Sequence, residues 1–149
     1  MQTDENKNDL LLTSEQEKAI IEAIKQAERN TSGEIRVHIT NTKGSGSLAD
    51  AQKIFEKLNM HQTKYRNGIL FHISPLDRKF SIVGDEGIHQ QVQQAFWDEI
   101  RDQVIEFFKQ GNYQDGILFA VTQTGNKLKQ YFPLDIDDKN ELSDEITYS

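Results

Sequence analysis

Apolar residues recur along this chain in two rhythms, and their order predicts a helix, a strand, a second helix, two strands and two further helices. Thr13 and Ser14 supply a cap with a glutamate close behind, and Ala19, Ile20, Ile24 and Ala27 then fall at helical spacing, predicting a helix over about 14–29. Thr31-Ser32-Gly33 breaks it. The next stretch, Glu34-Ile35-Arg36-Val37-His38-Ile39-Thr40, alternates apolar and polar residues as a strand does. After the polar loop NTKGSGS, Leu48, Ala51, Ile54, Phe55 and Leu58 trace a second amphipathic helix. Asn67 to Ile73 and Lys79 to Gly84 read as strands two and three. Only Ser74-Pro75-Leu76-Asp77-Arg78 lies between them, a link so short that it forces an antiparallel hairpin. Ile88, Val92, Phe96, Ile100, Val104 and Phe108 then step by four, predicting a long helix or a bent pair. Ile117-Leu118-Phe119 could open a strand, but Ile117, Val121, Gly125, Leu128 and Phe132 hold helical spacing, and length favours a helix.

This order brings chemistry to one place. The strand-helix-strand unit makes strands one and two parallel neighbours, and the hairpin turns strand three back beside strand two. Three segments therefore end on one edge: Gly33 and Glu34, then Arg66, Asn67 and Gly68, then Gly84, Asp85 and Glu86. Neighbouring strands lie ~4.8 Å apart, within the reach of one small ion or polar ligand. Carboxylate and amide oxygens, with glycines that let backbone carbonyls come close, are what a hard divalent cation such as calcium requires. The linear calcium loop D-x-[DN]-x-[DN]-G is absent, so any such site is assembled by the fold. Asp85 and Glu86 equally suit a cap and a favourable charge at a helix start. That end of a helix repels a cation unless several carboxylates outweigh its roughly half unit charge. Asp115, at the mouth of the last helix, is a further oxygen ligand or another cap.

Composition narrows the classes. A chain of 149 residues is the size of one domain, and no apolar run approaches the ~18 residues of a membrane span. The first residues have neither a basic start nor a sustained apolar stretch, so the expected location is the cytoplasm. With no cysteine, thiol and zinc-thiolate chemistry are excluded. A net charge of -7 argues against a nucleic-acid partner. Six acids against one lysine between Leu134 and Ser149 predict a solvated, mobile tail over 133–149, and residues 1–11 are expected to be disordered.

Other motifs carry less. Gly44-Ser45-Gly46-Ser47-Leu48-Ala49 fits G-x-G-x-x-A between a strand and a helix, yet no acid ends strand two, so a flexible loop able to hold a phosphate is the better reading. His38 and His72 fall on the polar phase of adjacent strands, and a structural pair is expected of them rather than a metal site. Phe96-Trp97 and Phe107-Phe108 suit helix packing. No histidine is placed to activate Thr31, Ser32 or Ser81, and no G-x-S-x-G elbow exists, which leaves any hydrolysis to a metal.

Several stretches resemble the TPM domain family in order and spacing. They are Leu12-Thr13, Ser32-Gly33-Glu34-Ile35-Arg36-Val37, Asn67-Gly68-Ile69-Leu70, Asp77-Arg78-Lys79, Gly84-Asp85-Glu86-Gly87-Ile88, and Phe108 with Gly111-Asn112-Tyr113-Gln114-Asp115-Gly116-Ile117. The family is found in thylakoid-lumen phosphatases, photosystem II repair proteins, a receptor modulator and many bacterial proteins, and the resemblance spans residues 12–132. It implies a Rossmann-like three-layer α/β/α sandwich with a small mixed sheet, divalent metal binding, usually calcium, and in some members weak acid phosphatase activity. Carried over residue by residue, it implies Glu34, Asn67, Asp85, Glu86 and Asp115 as the metal site. The leading signal and trailing anchor of many members are not seen, so direct membrane insertion is not expected. The first expectation is a calcium-binding domain, magnesium being the other candidate ion, with a regulatory contact to a protein partner. A metal-assisted phosphomonoesterase using the same crevice and a metal-free interaction module are the alternatives.

Overall fold

The computed structural model describes residues 11–134 and 143–149. Helix α1 (Ser14–Glu28) starts at a capping box: Thr13 Oγ1 accepts the Gln16 N–H at 3.1 Å, and the Gln16 side chain accepts the Thr13 N–H at 2.9 Å. Glutamine, and not the glutamate beside it, closes the box. Strand β1 (Glu34–Ile39), helix α2 (Leu48–Lys57), strand β2 (Gly68–Ser74) and strand β3 (Lys79–Gly84) follow in the expected order. Helices α3 (Glu86–Lys109) and α4 (Tyr113–Tyr131) complete the expected set, and a short strand β4 (Thr147–Tyr148) adds to it.

The sheet has the order β3-β2-β1-β4. β1 runs parallel to β2, and β3 returns antiparallel to β2, with Phe71 facing Ile82 across the pair. Ile35, Val37 and Ile39 of β1, Ile69, Phe71 and Ile73 of β2 and Phe80 of β3 bury one face of the sheet against Ile20, Ile24, Ile100, Val104, Ile117, Val121 and Leu128 of α1, α3 and α4. On the other face Leu70 packs with Phe55 and Met60 under α2. The result is the three-layer α/β/α sandwich, with a mixed sheet between one helix and three.

Helix α3 is a bent pair rather than one straight rod. Gln93 takes φ 66° and ψ 172°, a conformation nearly reserved for glycine. Across the bend the Trp97 indole N–H donates to His89 Nδ1 at 3.0 Å.

Residues 143–149 depart from the expected mobile tail. Thr147 and Tyr148 pair in parallel with His38 and Ile39, Ile146 is buried, and the Tyr148 hydroxyl bonds the Glu17 carboxylate. The physical reason is local: Ile146-Thr147-Tyr148 is β-branched and aromatic, suited to a strand, and the acids that suggested a tail lie before it. Residues 135–142 and 1–10 of the other expected mobile segments lie outside the described residues; Leu11 packs half-buried against the core.

Candidate functional site

The edge expected from the strand order exists. Glu34 pairs with Gly68 across β1 and β2, Gly84 pairs with Ile69 across β2 and β3, and the Asp85 N–H donates to the Gly68 carbonyl at 2.9 Å. Glu34, Asn67 and Asp85 are all buried there, while Glu86 next to them is exposed.

The VGDEG run is explained by what its neighbours demand. A Cβ on Gly84 would stand 2.5 Å from the Trp97 ring. Asp85 caps α3, and Gly87 lets the helix start close onto the loop before β2: its N–H donates to the Arg66 carbonyl at 2.8 Å, and a Cβ there would lie 2.1 Å from the Tyr65 carbonyl oxygen. Arg66 takes φ 51°, in the left-handed region, so that its carbonyl can meet this helix start.

The same arginine supplies a positive charge to this edge. Its Nε and Nη2 donate to the two Asp85 oxygens at 2.7 and 2.9 Å, a two-pronged pair, and Nη1 lies 3.8 Å from Glu86. The hydrogen bonds to Asp85 hold the Arg66 pKa above its ordinary value. The sequence placed Arg66 on this edge but not in this pairing, which depends on backbone geometry that no periodicity encodes.

Asn67 is the other unusual group. Its Nδ2 donates to Ser32 Oγ at 3.2 Å, whereas its Oδ1 is buried and accepts from no described donor. The donor set is thus of the right kind for a hard cation, with amide and carboxylate oxygens at one edge. It is not gathered into a ready site: among the described residues no three His, Asp or Glu converge as metal ligands, and Arg66 holds Asp85.

Asp115 does not join the edge. It is exposed in the first turn of α4, next to the Phe108 and Tyr113 contact that faces the start of β3 at Phe80. It is the opposite end of α4 that reaches the crevice, where Leu128 packs on Gly33. Periodicity predicted the helix but not its direction across the sheet.

The other motifs resolve plainly. The Gly44 N–H is taken by both Asp77 oxygens, at 2.9 and 3.0 Å, so the chain's own carboxylate fills the place considered for a phosphate. His38 and His72 stack at 5.8 Å within a hydrogen-bonded chain that runs from buried His72 through Thr40 to exposed Ser149, then His38 and Thr147. Burial holds the His72 pKa below its ordinary value.

A buried ionisable cluster was missed. Glu28 Oε2 accepts the Ile35 N–H at 2.8 Å, and the Glu28 pKa is pushed up to about 10, first by burial, then by a hydrogen bond to Asp144, then by the charge of Glu34. Arg36, pulled below its ordinary pKa by burial, donates from Nε to the Ser143 carbonyl at 3.0 Å. Its only sequence signal was Arg36 on the polar phase of β1.

The model of the TPM domain family matches residues 6–127. The chain belongs to that family. It is similar to the BA42 protein of the psychrophilic bacterium Bizionia argentinensis, with 40% identity, a TM-score of 0.87 and 100% of both chains covered. The fold is shared with the N-terminal domain of a P. gingivalis protein, at 22% identity and a TM-score of 0.68 over 82% of this chain and 79% of that one. It is shared also with the N-terminal domain of the cg2496 protein of Corynebacterium glutamicum, at 15% identity and a TM-score of 0.55 over 86% and 85%. No curated protein sequence matches the chain. No described helix is long and apolar enough to cross a membrane.

Proposed function

We propose that this chain is a divalent-cation-binding domain, with calcium the preferred ion and magnesium the competitor. The ion takes the place of Arg66 on Asp85 and Glu86 and thereby reorganises the crevice loops for a protein partner. Asn67 Oδ1 carries this reading: it is a buried acceptor without a described donor. Such an atom costs about 1–3 kcal/mol, which a cation would offset. Arg66 can yield because its side chain is 42% exposed and has solvent to swing into. Glu34 completes the acidic edge from β1.

The test is an amide NMR titration with calcium chloride, then magnesium chloride. Saturable shifts are expected at Gly33-Glu34, Arg66 to Gly68 and Gly84 to Gly87. The Arg66→Gln variant is expected to bind calcium more tightly, because the competing cation is gone. Silence at those amides up to millimolar calcium overturns the proposal. The phosphomonoesterase alternative uses the same acids, with the cation polarising a phosphoryl oxygen. Hydrolysis of p-nitrophenyl phosphate that is lost in Asp85→Asn would support it; hydrolysis that survives the substitution places the activity elsewhere.

A further inference from the structure

A cavity of about 470 Å³ lies at the other end of the sheet, among the end of β2, the start of β3, the last turns of α3 and the start of α4. Its floor is apolar, made by Ile73, Phe80, Ile105 and Phe108. Its rim is cationic, with Arg78, Lys79 and Lys109 all exposed. Three cations around one cavity stand out in a chain of net charge -7. We infer that this cavity binds a small carboxylic acid with an apolar body, independently of the acidic crevice.

Several observations lead there. The volume falls within the ~300–1,000 Å³ usual for small-molecule sites, and an apolar lining with a few placed polar groups is their usual character. The hairpin's own acid is held by other donors: Asp77 accepts from the Gly44 N–H and from the Ser74 hydroxyl at 3.1 Å, with the Lys79 charge a smaller influence on it. Among the described residues Lys109 pairs with Glu106 at 3.3 Å, while Arg78 and Lys79 form no ion pair within 4.0 Å. Arg78 also takes φ 53° in the hairpin, where glycine or asparagine would sit at less cost. This conformation closes the loop 75–78 and sets the Arg78 side chain beside the cavity. Position agrees with chemistry. The cavity opens at the carboxyl end of β2, and parallel α/β sheets take their ligands at the carboxyl ends of their strands. The acidic crevice occupies the amino ends of β1 and β2, so the two sites divide the sheet by charge.

The experiment uses the full chain and two probes with one tail and opposite heads, decanoate and decyltrimethylammonium, each below its micelle concentration. Decanoate is expected to shift the amides of Ile73 to Phe80 and Ile105 to Tyr113 saturably, leaving Arg66 to Gly68 unmoved. Decyltrimethylammonium is expected to bind about tenfold more weakly or not at all. The R78E/K79E double variant, changed at two exposed positions, is expected to lose about tenfold in decanoate affinity with an unchanged unfolding temperature. Equal binding of both probes overturns the inference, because the rim then selects nothing. Shifts elsewhere, or none, overturn it too. So does a deletion of residues 1–10 that by itself moves the same amides without decanoate, since the chain's own segment is then the occupant.

Discussion

Replacing Glu28 by glutamine removes an ionisable group that the fold holds neutral. The native carboxyl is pushed up to about 10, whereas an unperturbed glutamate has 4.5, so the folded state keeps a proton that the unfolded chain releases. The sign follows from that difference. Below pH 4.5 both states are protonated and Glu28 is neutral in its effect; as pH rises toward the folded value, stability is lost at about 1.4 kcal/mol per unit. From pH 4.5 to pH 7 this gives a ceiling of about 3 kcal/mol, reduced because Glu28 is only partly shielded from solvent. Glutamine copies the protonated form: its carbonyl can accept the Ile35 N–H and its amide can donate to Asp144. Glu28→Gln is therefore expected to be more stable than wild type at pH 7 by about 1–3 kcal/mol, and indistinguishable from it near pH 4.5. Urea unfolding of both proteins at the two pH values measures the difference. A variant less stable at pH 7, or a gap that does not change with pH, refutes a neutral Glu28.

Two further outcomes check the crevice and the last strand. Gly87→Ala is expected to destabilise by about 2 kcal/mol or more, because the new methyl meets two backbone carbonyls that cannot yield without moving the start of α3, as urea unfolding would read. Ile146→Ala is expected to cost about 2 kcal/mol or more and to speed amide exchange at Thr147 and Ser149; no change in exchange would mean that β4 does not depend on this contact.

The parts of the fold that were legible in the sequence are those written as repeating patterns. Ile35, Val37 and Ile39 announced β1, the five-residue link announced the hairpin, and Ile117, Val121 and Leu128 announced α4, whose end falls one residue before Phe132. The edge bearing Glu34, Asn67 and Asp85 followed because strand order is a topological consequence of those elements. What stayed hidden depends on single conformations or on distant partners. The Arg66 pairing needs a left-handed backbone at one residue, and the bend in α3 needs another at Gln93. Which end of α4 meets the crevice was not legible either, because spacing gives a helix its face and not its heading. Strand β4 is two residues long, too short for any period, and it helps to cover His38, on the polar phase of β1, together with Ser149 and the stacked His72.

That last strand has a consequence for how the chain is made. His38 meets its partner Thr147 across 109 residues of sequence. At translation speeds of ~5–20 residues per second, β1 spends roughly 5 to 20 s in the nascent chain with one hydrogen-bonding edge open. An open edge invites pairing with other chains, and charged or polar side chains along it are the usual deterrent. Arg36, His38 and Thr40 therefore serve twice: they discourage a foreign strand while the edge waits, and all three then hydrogen-bond residues 143–149, the segment that closes it.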